Sequence, residues 1–224
     1  MTKNYQFISK NTIWLMLGII TLSIKQKINI NIYKNEGYKV IDSAIVFTNE
    51  INGLDSILWI SFSLFGSLFI LNQIKKENNL YPLLTGRIKS RKQLIYREVL
   101  TIYKSTIIYI GICAIATIFN SNITLNTVYS YLYALFSLAL LCLILRLLED
   151  GIKQNDKAYL FWILILFIST IKPISLYIPW MYGETYTIWT SNKSLSLINI
   201  IALSITTIII NIIYYYRMKI ADWK

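Results

Sequence analysis

The chain contains no histidine. That absence removes Ser-His-Asp and Cys-His catalysis, HExxH zinc sites and histidine proton relays together. A phosphate loop of the GxxxxGK(S/T) kind is also missing, so any ATP-dependent process would need a separate subunit to hydrolyse the nucleotide. There are two cysteines, Cys113 and Cys142, both inside apolar runs. A free thiol there behaves as a small hydrophobe, and no disulfide framework follows from the pair. Charge is scarce, at 15% of the 224 residues, where a soluble domain carries about 25%. Acidic residues are the scarcer kind, 11 Asp+Glu against 22 Lys+Arg. Without histidine, and without paired carboxylates inside the apolar runs, an intramembrane enzyme is disfavoured.

What the chain does have is apolar surface: 55% of its residues are hydrophobic and its mean hydropathy is +0.52. This composition indicates a membrane protein. The net charge of +11 raises the question of nucleic acid. However, the cations cluster between apolar runs, a pattern that membrane orientation explains and phosphate binding does not. The sequence predicts an all-α, polytopic membrane protein with six transmembrane helices in a single transmembrane domain, 1–224. The spans fall at about 8–24, 54–74, 100–119, 128–148, 159–178 and 195–216.

Residues 1–10 combine Tyr5, Phe7 and Ile8 with Lys3 and Lys10, which suits either a lipid-surface segment or a frayed tail. No small-residue cleavage site follows the first apolar run, so a cleaved signal peptide is not expected. An outer loop is expected over 25–53. In it, Lys27 to Tyr33 alternates apolar and polar residues with the period of a half-buried strand. Asn35-Glu36-Gly37 reads as a turn, and Tyr38 to Ile41 as a returning strand. This loop either ties two helices or caps the outer surface.

Within the second span, Ser63, Gly66 and Ser67 form a small face that would let another helix approach closely, as packing or as part of a substrate path. The fifth run breaks off early. From Tyr159 to Ile171 it rises only ~20 Å, short of a ~30 Å bilayer core, before Lys172-Pro173. Pro173 lacks an N–H and bends a helix interior, so a broken fifth helix is expected. Backbone groups freed at membrane depth are tolerated only against protein or water. Lys172, Pro173 and Trp180 are therefore translocation candidates, the alternative being a proline kink with a snorkelling lysine. Trp14, Trp162 and Trp223 would mark the inner interface and Trp180 and Trp189 the outer one.

With both termini inside, sixteen of the 22 Lys+Arg fall on the inner side, the orientation that the positive-inside bias selects. Beyond terminal snorkelling cations, the spans offer Ser, Thr, Tyr and Asn and almost no buried charge. Amphipathic peptide or lipid suits such a path better than sugar or metal, and no metal site or bound cofactor is expected.

The most basic stretch is 75–98, with Lys75, Lys76, Arg87, Lys89, Arg91, Lys92 and Arg97 opposed by Glu77 and Glu98. Inside it, Asn79 can cap a short helix on which Leu80, Leu83 and Leu84 share one face, with Pro82 near its start and Thr85-Gly86 closing it. Ser90-x-x-Gln93 is a capping-box pattern that would start a new helix running into the third span. The order of two spans, then Glu77…Leu83-Leu84…Ile88-x-Ser90-Arg91-Lys92-Gln93-Leu94, then a third span resembles the ABC-2-type permeases. More narrowly, it resembles the short permease subunits of bacterial exporters for toxin peptides, including lantibiotic self-protection transporters and exporters of amphipathic staphylococcal toxins. The chain differs from them in having Asn78-Asn79 where that family often carries Gly-Thr.

The resemblance implies that the segment holds a cytosolic coupling helix docking in a groove of an ATPase subunit through Glu77, Leu80, Tyr81, Leu83, Leu84, Arg87, Arg91 and Lys92. It further implies two ATPase copies, which would bind ATP and Mg, and a second permease, identical or sister. The substrate would be an amphipathic peptide moved out of the bacterial cell membrane, and the chain itself would not be an enzyme. The other partner is membrane lipid, with no nucleic acid. The alternative is a substrate-binding membrane subunit of a vitamin-uptake transporter, which docks through small residues within a helix rather than a basic loop.

Overall fold

In lipid a backbone N–H or C=O finds no water, so the apolar runs of this chain have to satisfy their peptide groups internally, as helices do. A computed structural model of the chain describes residues 2–36, 53–84, 91–118, 125–152, 155–171 and 193–220. Among them it is all-helical: α1 (Thr2–Glu36), α2 (Gly53–Leu84), α3 (Arg91–Ile118), α4 (Leu125–Ile152), α5 (Asn155–Ser169) and α6 (Lys193–Ile220). Three stretches are long and apolar enough to cross a membrane, Ile57–Lys76, Gln93–Thr117 and Tyr131–Ile152. Hydroxyls within the helices do not disturb them. Thr21, Thr106 and Thr207 each donate to the carbonyl four residues back, at 2.8, 2.7 and 2.7 Å, so the polar group is satisfied by its own helix.

The helices run alternately up and down. Gly18 and Gln26 of α1 meet Tyr109 and Thr117 of α3, so these two are parallel. Thr117 and Glu98 of α3 meet Tyr131 and Arg146 of α4, so these are antiparallel. Gly66 and Ser67 of α2 meet Leu138 and Cys142 of α4 in parallel, and Trp162 of α5 reaches back to Leu141 of α4. The end of α2, the start of α3, the end of α4, the start of α5 and the end of α6 thus share one end of the bundle, called here the basic end.

The centre of the α1–α2–α3 packing is Tyr109, fully buried. Its ring lies 5.4 Å from that of Phe62 and 5.6 Å from that of Phe69, and its hydroxyl donates to the Phe62 carbonyl at 3.3 Å. Two glycines make room for it. A Cβ on Gly18 would collide with the Tyr109 hydroxyl oxygen, and one on Gly66 would lie 2.9 Å from its ring and 2.7 Å from Leu138. Ser63 and Ser67 flank Gly66 and are buried on the same face. The small face of α2 is therefore filled by α3 and α4. Cys113 and Cys142 are free and buried.

Several expectations give way. The alternating Lys27–Tyr33 is not a strand: α1 continues as helix through Glu36, so the loop expected over 25–53 loses its first twelve residues. Adding residues to an existing helix needs no new nucleus, whereas an isolated two-stranded hairpin is marginal. Residues 37–52, including the returning strand at Tyr38–Ile41, lie outside the described residues. For the same reason Asn79 caps nothing. It sits inside α2, which runs unbroken from Gly53 to Leu84, and Pro82 falls in its last turn, where one backbone hydrogen bond is forgone.

Trp162 faces the bundle, not lipid. It is 1% exposed and donates from Nε1 to the Leu141 carbonyl at 3.2 Å. The fifth helix stops at Ser169, upstream of Lys172-Pro173. Its last carbonyls accept from the Thr170 and Ile171 N–H groups at 3.1 Å and from the Ser169 and Thr170 hydroxyls at 2.7 Å, a tightened final turn that completes the ladder. The chain from Lys172 to Asn192, and with it the second half of the expected broken helix, lies outside the described residues.

Candidate functional site

At the basic end, α3 turns two successive charges in different directions. Arg97 is exposed, and Glu98 is 3% exposed and faces the bundle. Neighbours in a helix are about 100° apart, so one of two adjacent charges on a half-buried helix tends to be carried inward. Glu98 enters between α4 and α6. The Arg146 guanidinium, 22% exposed, donates from Nε to Glu98 Oε1 at 2.8 Å and from Nη2 to the same oxygen. Its Nη1 donates to Glu149, one turn on along α4. The other oxygen of Glu98 accepts from the Tyr214 hydroxyl of α6 at 2.6 Å, and Tyr214 is fully buried. Tyr159, at the start of α5, faces Glu149. At the rim Arg217 pairs with Asp150 at 3.3 Å.

One guanidinium therefore holds two carboxylates, and both oxygens of the more buried carboxylate are occupied. Inside a bilayer such charges are tolerated when they pair with one another and face the bundle. The cluster joins α3, α4 and α6 within two turns of the start of α3. A second polar contact extends it along the same seam: Asn211 Nδ2 donates to the Tyr103 hydroxyl at 2.5 Å and to the Thr207 carbonyl at 2.9 Å. Among the described residues, no group of three or more His, Cys, Asp or Glu is placed to hold a metal ion. With both oxygens of Glu98 engaged, the arrangement can hold helices in register.

Comparison with protein families, curated proteins and solved structures finds no match to this chain. The site has to be read from its own geometry.

That geometry treats the sequence candidates unequally. Glu77, Leu80, Tyr81, Leu83 and Leu84 lie on the last two turns of α2, beyond its apolar stretch, and Arg91 and Lys92 open α3. Arg87 lies outside the described residues. The two helix ends are thus brought to one end of the bundle, separated by six residues, 85–90. Ser63, Gly66 and Ser67 lie far from them, in the α2–α3–α4 core. Lys172, Pro173 and Trp180 lie outside the described residues.

Charge is buried at the margins of the expected spans rather than within them. Lys25, Glu98 and Glu149 are all buried, and Arg146, assigned to a span's end, is held inside by two carboxylates. Lys25, assigned to the outer loop, is instead a fully buried residue of α1. A signal for the cluster was available in the sequence. Arg146 and Glu149 stand three apart at the end of one apolar run, and Glu98 stands just before the start of the preceding run, at the same end of the bundle.

Proposed function

We propose that this chain is the membrane-spanning permease subunit of an ATP-driven exporter, docking a separate ATPase through the segment between α2 and α3. The observation that carries the reading is the length of α2. Its apolar stretch ends at Lys76, yet the helix continues to Leu84. Its 32 residues rise ~48 Å against a ~30 Å bilayer core. The eight residues past Lys76 therefore extend beyond the bilayer as a helix, and α3 returns from Arg91. A partner can push on such an extension, whereas a slack loop would absorb the push.

The charge distribution supports a cytosolic position for this end. Lys75, Lys76, Arg97, Arg146, Lys157 and Arg217 all lie toward it, while the far end of the described side chains carries Lys25 and Lys27. The cluster of Glu98, Arg146 and Tyr214 then ties the base of the docking segment to α4 and α6, the helices that would have to move during transport. Two ATPase copies would bind ATP and Mg, and a second permease, identical or sister, would complete the path for an amphipathic peptide leaving a bacterial membrane.

The test replaces Leu80, Leu83 and Leu84 together with aspartate and co-expresses the variant with an ATPase encoded beside this gene. Co-purification of the ATPase should fall at least about tenfold, the equivalent of roughly 1.4 kcal/mol, with export lost in parallel. Full co-purification with unchanged export would end the docking reading.

A further inference from the structure

The outward face of α3 carries a charge that the bundle does not explain. Exposed residues recur at Gln93, Arg97, Leu100, Lys104, Ile107, Ile108 and Ile115, a single stripe at helical spacing. Lys104 stands on it among isoleucines, seven residues deeper than Arg97, which is ~10 Å along the helix. Side chains lean toward a helix's N-terminus. Both cations lean the same way, so the Lys104 ammonium lies near the level of Leu100 and Arg97 closes the gap by turning its flexible side chain toward Leu100. Tyr96, 68% exposed, flanks the pair at the depth where aromatic rings mark the membrane interface.

Neither cation has an ion pair among the described residues. The acids nearest in depth are already engaged: Glu98 and Glu149 are turned inward onto Arg146, and Asp150 pairs with Arg217. Asp156 is exposed but lies on α5, away from this stripe. A second copy could offer the exposed Asp156, whereas anionic headgroups surround this depth in every copy, which favours the bilayer as the source of counter-charge.

We infer that Tyr96, Arg97, Leu100 and Lys104 form a binding site for an anionic glycerophospholipid, its phosphodiester held between Arg97 and Lys104 and its acyl chain laid along Leu100, Ile107 and Ile108. The site is independent of any ATPase or substrate. It places a lipid on the outer side of the same two turns of α3 that the Glu98–Arg146 cluster holds from within.

The full chain in nanodiscs of phosphatidylcholine, titrated with phosphatidylglycerol and followed by native mass spectrometry of retained lipid, tests this. Wild type should retain one phosphatidylglycerol. The R97Q/K104Q variant should bind it about twenty-five-fold more weakly, two cations each contributing roughly a factor of five at an anionic surface. R97K/K104R should keep the binding, which separates charge from shape and stands in should the glutamine variant fail to fold. Equal retention by R97Q/K104Q and wild type would overturn the site. So would an equal loss in K75Q/K76Q, which removes two exposed cations elsewhere at the basic end and would indicate diffuse attraction only. Efficient disulfide dimerisation of an Ile108→Cys variant in membranes would put a second copy on this face and overturn the lipid assignment.

Discussion

Two seams hold this bundle, and they are built from opposite materials. Where α1, α2 and α3 meet, Tyr109 is seated between Gly18 and Gly66 among phenylalanines. The contact is one of shape, helped by long hydrogen bonds from Tyr109 to the Phe62 carbonyl and from Gln26 to the Thr117 carbonyl. Where α3, α4 and α6 meet, Glu98, Arg146, Glu149 and Tyr214 form a charged knot. Apolar surface gives little reason for helices to associate in lipid, because the acyl chains are as apolar as leucine, so each seam needs another source of specificity. The first obtains it from small residues that admit a large ring. The second obtains it from charges that lack any other partner.

The sharpest way to break the comparison is Arg146→Met. It leaves Glu98 and Glu149 buried without their cation, and should destabilise the bundle by about 3–5 kcal/mol, as losing one partner of a buried pair does. SDS titration of the purified protein would measure it. Removing Glu98 as well, in E98L/R146M, should recover part of that loss. A double-mutant cycle should give a coupling of about 2 kcal/mol, within the range for residues in direct contact. A coupling near zero would mean that the knot is incidental.

In the other seam the equivalent change adds atoms. Gly18→Ala drives a methyl into the Tyr109 hydroxyl and should cost about 1–3 kcal/mol as overpacking. Combining it with Tyr109→Leu should relieve part of that cost, because the obstructing ring is gone, and a G18A protein of wild-type stability would show that this seam is loose. The smallest expected effect lies between the seams. Trp162→Phe removes the hydrogen bond to the Leu141 carbonyl and part of a filled volume, for about 1–2 kcal/mol. A loss as large as that of Arg146→Met would place the main support in α4–α5 instead.

How much of this was legible in the sequence depends on which force decides each element. Long apolar runs and their punctuation give the helices, because lipid leaves backbone groups no other option. Lys172-Pro173 likewise marks the end of α5, since the residue before a proline resists helical geometry. The small face at Ser63, Gly66 and Ser67 was visible as three small residues on one side of a helix, although its occupant, Tyr109, was not.

Of the local patterns that argued for a new start, Ser90-x-x-Gln93 is followed by α3 at Arg91, while two others failed. Asn79 has the chemistry of a cap and Lys27–Tyr33 the period of a strand, but a helix already under way passes through both. The charged knot was missed because Glu98 was counted with the basic segment beside it and Arg146 fell at the far end of the fourth expected span. Sequence neighbours suggested solvent for both, while a matching partner on another helix carried them inward.

The unbroken course of α2 has a mechanical consequence. A helix without a joint, held near its middle where Gly66 abuts Tyr109 and Leu138, behaves as a lever with its fulcrum there. From Gly66 to Leu84 the arm is ~27 Å, and from Gly66 back to Gly53 it is ~20 Å, at 1.5 Å per residue. A sideways push of about 4 Å at the Leu84 tip, if the rod stays straight, swings the opposite tip by about 3 Å the other way. Motion at one face of the bilayer would thus reach the other as a tilt, its size set by where a glycine sits in the helix.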